Sequence, residues 1–203
     1  MTTAIQPVRH APAQRRESAR VLARAFDDDP LTMFIFPDAA SRPRHLAWFF
    51  ERALRIGEMY GEVYTTPGKV DGDAIWLRSV LGMGQMVRAG ILMAPLKFGL
   101  PTFMRFLGVM NHAEHLHKRD VPEPHHYLMV LGVDPPRQGQ GVGGALIAPM
   151  LARADAERLP CYLETMKTRN VPFYEKHGFR VVVEADLPKG GPHFWTMKRP
   201  PKA

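Results

Sequence analysis

The stretch from Val130 to Ile147, VLGVDPPRQGQGVGGALI, constrains this chain more than any other. An apolar run stops at Pro135-Pro136. Gly139, Gly141, Gly143 and Gly144 then fall within six residues, and a segment of helical pattern follows. Strand, glycine-rich turn and helix start, in that order, are the parts that hold an anion. N–H groups at a helix N-terminus point outward with partial positive charge, and missing side chains let the anion approach. Glycines alone leave a plain tight turn open as well.

A length of 203 residues fits one domain, 1–203, with a sizeable core. Hydrophobic content of 45% and charged content of 23% are those of a soluble globular protein. The net charge of +7 suits an anionic ligand. Lys and Arg are spread out, with no dense tract beyond Arg15-Arg16, so a nucleic-acid partner is not expected. Cys161 is the lone cysteine, which excludes an intrachain disulfide or a multi-cysteine metal site and fits a reducing compartment. The N-terminal MTTAIQPVRHAPAQRRESAR lacks the apolar core of a signal peptide. Gly90 to Met110 is interrupted by Pro95, Lys97, Pro101 and Arg105, against the roughly 20 apolar residues of a membrane span. A cytoplasmic protein with no membrane partner is the expectation.

Periodicity orders the rest. Ile5 to His10 reads as a short strand. A helical stretch opens at Pro12, with Ala19, Val21, Leu22, Ala25 and Phe26 as its apolar stripe. Asp27-Asp28-Asp29-Pro30 ends it, and Leu31 to Pro37 reads as an apolar, aromatic loop. A second helix is predicted from Ser41 or Arg42 to about Glu58, then strands Glu62–Thr66 and Gly72–Leu77 around a Pro-Gly turn. Residues 83–118 hold five of the twelve methionines and three aromatics, and prolines divide them into two or three helices. These either pack as ordinary core or wall an adaptable apolar pocket on the substrate side. Tyr127–Val133, Gly141 to about Arg158 and Cys161–Thr165 then form a β-α-β unit with parallel strands. A short helix at Pro172–His177 and strands at Arg180–Ala185 and His193–Lys198 close the chain.

Gly139-x-Gly141-x-x-Gly144 fits the glycine spacing of a dinucleotide-binding turn, and Glu164 lies at about the right distance for its acidic partner. The unit sits too late in the chain for the rest of a doubly wound sheet. A phosphate-binding loop of the Gly-Lys-Ser/Thr type is excluded, because no such tripeptide follows.

Three segments read together resemble the GCN5-related N-acetyltransferase (GNAT) superfamily, in its puromycin N-acetyltransferase-like branch. The first is VLGVDPPRQGQGVGGALI, where Gln138-x-x-Gly141-x-Gly143 matches the signature Q/R-x-x-G-x-G/A. The others are YLETMKTRNVPFYEKHGF and the closing HFWTMKR. Matching residues run from about Tyr127 to Met197; before that only the order of elements is similar. The resemblance implies a mixed α/β (α+β) fold whose central sheet is largely antiparallel, with a splayed parallel strand pair and flanking helices. It implies acetyl-CoA as cosubstrate, held where the fourth and fifth strands part. Leu131 and Val133 would lie along the pantetheine arm. The N–H groups of Gln138, Gly139, Gln140, Gly141, Val142, Gly143 and Gly144 would cradle the pyrophosphate.

Tyr174 precedes Gly178-Phe179 by the spacing usual in the family. A phenol near the sulfur can protonate the departing thiolate; packing of the short helix is the plainer role. Asn170, four residues earlier, is a candidate cofactor contact or a helix N-cap. An amine nucleophile has a pKa near 10.4 and must lose a proton before attack. Glu164 on the fifth strand is the candidate base, and a structural role stays equally open. His125 and His126 rank lower, as loop residues. His112, Glu114, His115 and His117 do not follow the H-E-x-x-H spacing and read as a solvated helix end, so no metal is expected. Cys161 reads as a small buried strand residue.

The function these readings imply is acetyl transfer from acetyl-CoA to a primary amine of a small molecule or peptide, by direct attack in a ternary complex. A regulatory module that binds acyl-CoA without transferring it, or transfer of a longer acyl group, is the alternative. A homodimer is left open.

Overall fold

The computed structural model describes residues 5–78 and 82–202, and a seven-stranded sheet runs through them. Its strands are β1 (Val8–Arg9), β2 (Gly61–Thr65), β3 (Gly72–Leu77), β4 (His126–Val133), β5 (Cys161–Thr165), β6 (Arg180–Asp186) and β7 (His193–Arg199). They lie in the order β1-β2-β3-β4-β5-β7-β6. Every neighbouring pair is antiparallel except β4 and β5. This is the mixed, largely antiparallel sheet with one parallel pair that the sequence implied.

Helices cover both faces. α1 (Arg15–Ala25), α2 (Pro30–Ile35) and α3 (Arg42–Tyr60) precede β2. α4 (Met83–Arg88), α5 (Ala94–Phe98) and α6 (Leu100–Asp120) fill the segment between β3 and β4, as three helices. α7 (Val142–Glu157) crosses from β4 to β5, and α8 (Val171–Lys176) follows β5. Alternation along β3 sorts two cores. Ala74 and Trp76 pack with Leu146, Ile147 and Met150 of α7. Ile75 packs with Leu22, Leu46, Phe50, Phe106 and Leu116 on the other side. Among the described residues no helix is long and apolar enough to cross a membrane.

The span Leu31–Pro37, expected as a loop, is instead mostly helix α2. Asp29 is its N-cap, accepting a hydrogen bond from the Leu31 N–H at 3.0 Å, and Pro30 occupies the first helical position. The same Asp-Pro pair that stops α1 therefore starts α2, because proline costs nothing where the N–H has no intrahelical partner. The first strand is shorter than expected, pairing only at Val8 and Arg9.

A buried polar chain ties α1, β1, α3 and β3 together. His10 meets Glu58 at 3.2 Å through Nδ1 and the Ser18 hydroxyl at 3.1 Å through Nε2. Ser18 donates to Asp73 Oδ1 at 3.0 Å. Asp73 is fully buried and its Oδ2 has no partner. Burial pushes its carboxyl up to about 7, against the pull of Ser18 and Thr65. In the folded state Asp73 therefore holds its proton to higher pH than in the unfolded chain, so its contribution to stability falls as pH rises between those two values. Buried His10 shifts the other way, its neutral form favoured by burial, so a comparison with a variant isolates the carboxyl. Relative to the parent, Asp73→Asn is expected to gain about 4 kcal/mol in urea melts between pH 3 and pH 8. An equal difference at both pH values would mean that Asp73 is ionised throughout.

Candidate functional site

The site begins where β4 and β5 separate. They pair only at His126↔Cys161 and Tyr127↔Tyr162. Beyond those residues β4 stays with β3, up to Gly72↔Val133, while β5 stays with β7, up to Thr165↔Trp195. A bulge in the β3–β4 ladder leaves Met129 without a partner on β3, between Leu128↔Trp76 and Val130↔Ile75. An extra residue bends a strand and increases its twist. The result is a wedge-shaped opening whose β4 edge presents backbone groups that β5 does not satisfy.

A cleft of about 510 Å³ opens there, lined by Leu131, Gly132 and Val133 of β4, the loop glycines, and Asn170, Phe173 and Tyr174. Its far wall is Ala25, Phe26 and Asp29. Gly132 allows that wall to stand so close: a Cβ there would lie 2.5 Å from Leu22 and 2.9 Å from Phe26. Arg24 fixes it, donating two 2.8 Å hydrogen bonds to the Asp134 carboxylate just past β4.

The loop after β4 has the geometry its glycines require. Gly139 and Gly141 take left-handed φ values of 74° and 81°, which cost other residues about 1–2 kcal/mol each. Gly141 is the N-cap of α7, and no acidic side chain occupies the first turn. The Gln138 N–H is already given to the Pro135 carbonyl at 3.3 Å. From Gly139 through Gln140, Gly141, Val142 and Gly143 to Gly144, no N–H donates to another group of the described residues. Free N–H donors in a loop and at a helix N-terminus favour an anion. The Gln138 side chain ties the loop back to β4, donating to the Val133 carbonyl at 3.0 Å, and Gln140 donates to Pro136 at 2.9 Å. Arg137, Lys167, Arg169 and Lys176 line the cleft against a single carboxylate, Asp29. Arg137 is paired with Asp71 at 3.0 Å, and Lys167 and Arg169 with Asp28.

Tyr174 is 6% exposed, and burial, reinforced by nearby Asp29, raises its phenol well above the ordinary tyrosine range. It is a phenol that keeps its proton until a strong base meets it. Asn170 is the N-cap residue of α8 but makes no side-chain capping bond; its side chain donates instead to Thr165 Oγ1 at 3.0 Å, linking the short helix to the end of β5. Leu131, Val133, Gln138, Gly139, Gly141, Val142, Gly143, Gly144, Asn170 and Tyr174 thus share one cleft.

Glu164 is not among the residues lining it. Alternation along β5 turns Cys161 and Leu163 toward α7, and Tyr162 and Glu164 toward α6. Glu164 Oε1 is enclosed with no hydrogen-bond partner, and His117 Nδ1 lies 3.7 Å away. Burial pushes the Glu164 carboxyl up to about 7, with the Tyr127 hydroxyl pulling downward. His117 is not at a solvated helix end, as the sequence implied, but 2% exposed. Its ring is enclosed by Tyr127, Tyr162 and His125, at centroid distances of 4.6, 4.4 and 4.7 Å. Burial pushes His117 down to about 3. His125, in the loop before β4, and His126, the first residue of β4, are both buried, and His126 meets Glu157 of α7 at 2.9 Å. Cys161 is a buried strand residue whose thiol burial pushes up to about 12. No group of three or more metal-ligating side chains is assembled among the described residues.

Sequence reasoning missed the cationic rim and the Phe26–Asp29 wall. The Asp-Pro cap was the available signal for the wall. For His117 the signal was its helical spacing from Phe106, Val109 and Leu116, which are buried on the same helix.

Residues 105–181 match the family model for the acetyltransferase (GNAT) domain. The chain is 29% identical over 177 residues to an uncharacterized N-acetyltransferase of Schizosaccharomyces pombe, covering 81% of this chain and 70% of that protein. Its fold matches that of a Corynebacterium glutamicum protein described as histone acetyltransferase HPA2 and related acetyltransferase. There the TM-score is 0.74 and the identity 24%, over 99% and 98% of the two chains. It also matches arylalkylamine N-acetyltransferase 2 of Aedes aegypti, with a TM-score of 0.63 and 12% identity over 98% and 99%.

The enclosure of Glu164 has a direct spectroscopic consequence. Its side-chain carboxyl carbon, followed by NMR, is expected to titrate with a midpoint near pH 7. A midpoint near 4.5 would mean that the carboxylate is solvated.

Proposed function

We propose that this chain is an acetyltransferase of the GCN5-related N-acetyltransferase (GNAT) superfamily, with acetyl-CoA as its donor and a primary amine as its acceptor. The observation that carries the reading is that one cleft is lined by five residues with unpartnered N–H groups (Gly139, Gly141, Val142, Gly143 and Gly144), an open β4 edge and a buried phenol. A pantetheine arm carries amides that can pair with an unsatisfied strand edge, and a pyrophosphate needs a cradle of N–H donors about one loop away. The residues present fit both parts. Arg137, Lys167, Arg169 and Lys176 add the charge complement for the nucleotide end.

In this reading Leu131 and Val133 orient the pantetheine through their backbone, and Gly139 to Gly144 hold the pyrophosphate. Asn170 braces the gap through Thr165. A backbone N–H near Leu131 polarises the thioester carbonyl and stabilises the negative charge that develops on its oxygen. Glu164, ionised above about pH 7, takes the proton of the incoming ammonium from the α6 face. Tyr174 gives its proton to the departing thiolate from the cleft side. Base and acid thus stand on different faces of the parted strands, and the amine attacks directly without an acyl-enzyme. The short Asn170–Tyr174 spacing supports placement near the puromycin-type branch.

Helices α4 to α6 supply the acceptor wall. Phe98, Phe106, Val109 and Leu116 belong to the core, with Phe103, Leu107 and Met110 packed against it. Methionine and aromatic side chains at such a wall accept varied apolar groups, so the acceptor is an amine, of a small molecule or peptide, with an apolar body.

Free-thiol release from acetyl-CoA with 2-phenylethylamine, agmatine and a peptide with an unblocked N-terminus tests the reading. Amine-dependent release above background is expected for at least one. Tyr174→Phe is expected to lower kcat by about 10²-fold while calorimetric affinity for acetyl-CoA stays within about twofold. No release with any amine, despite tight acetyl-CoA binding, would identify a binding module instead.

A further inference from the structure

A carboxylate enclosed on the far side of a strand needs somewhere to send the proton it collects. Glu164 is faced by Tyr127 of β4, Tyr162 of its own strand, and His117 and Asp120 of α6. Asp120 is engaged elsewhere, accepting from Thr196 of β7 at 2.9 Å and from Tyr162 at 3.4 Å. The phenols already carry protons, held tightly by burial. His117 is left as the acceptor.

The hydrogen bonds around the two rings set their tautomers. His125 Nδ1 lies 2.7 Å from the Glu123 carbonyl, which can only accept, so Nδ1 carries the proton. His125 Nε2 then accepts, and its neighbour at 2.6 Å, His117 Nε2, donates. With both rings neutral, His117 Nδ1 bears a lone pair 3.7 Å from Glu164 Oε1, an atom with no hydrogen-bond partner. The chain is poised to carry a proton one way. It ends at the backbone carbonyl of Glu123, a residue whose side chain is exposed.

We propose that His117 and His125 are the outlet for the proton that Glu164 removes from the acceptor amine. The inference rests on the acetyl-transfer reading above. The amine's N–H bond breaks and a Glu164 O–H forms. That proton passes to His117 Nδ1 as His117 Nε2–H passes to His125 Nε2, and His125 Nδ1–H goes to water. The net change is one proton from amine to solvent. Rotation of the two imidazoles restores the starting tautomers. A concerted shift avoids an imidazolium at His117, which its surroundings disfavour. Both histidines are positioning residues that act through Glu164.

Steady-state thiol release with saturating acetyl-CoA and the fastest amine of the panel tests this. His117→Gln and His125→Gln are each expected to lower kcat at least about tenfold in dilute phosphate, with KM values within about twofold. Added imidazole should restore much of the rate, and the double variant should resemble either single one. Loss of activity without imidazole rescue, or unchanged kcat, would overturn the outlet. Should a variant fail to fold, the wild-type solvent-isotope proton inventory decides. A curved inventory at pH 8 means several protons move together, and a linear one overturns the relay. A wild type inactive with every amine defeats the transfer reading and this inference with it. An active wild type with insensitive histidine variants defeats only the inference.

Discussion

Two paired residues hold β4 to β5, and the rest of the molecule's chemistry depends on their parting after that. A sheet that closed this gap would satisfy its backbone internally and offer nothing to a ligand. Here the Met129 bulge bends β4 away while β5 continues along β7. The gap stays open because each strand keeps its other neighbour: β4 is locked to β3 through Val133, and β5 to β7 through Thr165. The loop at the end of β4 extends the same logic, since its N–H groups are likewise left without internal partners. Gln138 and Arg24 hold strand end, loop and wall in one geometry. The ligand therefore meets a preformed surface and loses less binding energy to ordering it.

Burial of titratable groups follows from the same architecture. The face away from α7 encloses Asp73 at one end of the sheet and Glu164, His117 and His125 nearer the gap. Both carboxyls shift upward and both histidines downward, in each case chiefly because burial opposes charge. The consequences differ with their partners. Asp73 is hydrogen-bonded by Ser18 within a chain that joins four elements, a structural arrangement. Each carboxyl leaves one oxygen without a partner, at a cost in stability. What sets Glu164 apart is the buried histidine pair beside it, whose outer member lies 2.7 Å from the Glu123 carbonyl.

The donor side of the site was legible in the sequence because backbone, rather than side chains, builds it. Gly139 and Gly141 mark left-handed turns that few other residues adopt, and the following apolar period marks α7. Tyr174 and Asn170, singled out by their spacing in the family resemblance, line the same cleft. What escaped depends on tertiary contact. Lys167 and Arg169 look like scattered surface charges until β5 carries them to the cleft beside Asp28. His117 looked solvated because its neighbours His115 and Lys118 are polar, although its position on α6 turns it into the core. Helix α2 escaped because an Asp-Pro pair reads equally as a stop and a start.

The same distinction explains why the two halves of the proposed reaction place different demands on the chain. Donor recognition by N–H groups needs only a backbone shape, so a few glycines and one tethering glutamine suffice. Acceptor recognition must come from side chains, and the available wall is α4 to α6, rich in methionine and without a single carboxylate between Asp73 and Glu114. A wall lacking anions gives no counter-charge to a second cation on the acceptor, while Arg105 is turned inward to the carbonyls of Phe34 and Ile35. Such a site favours an amine whose single positive charge is the one lost during reaction, attached to an apolar body, over a polycation that would keep charge after transfer.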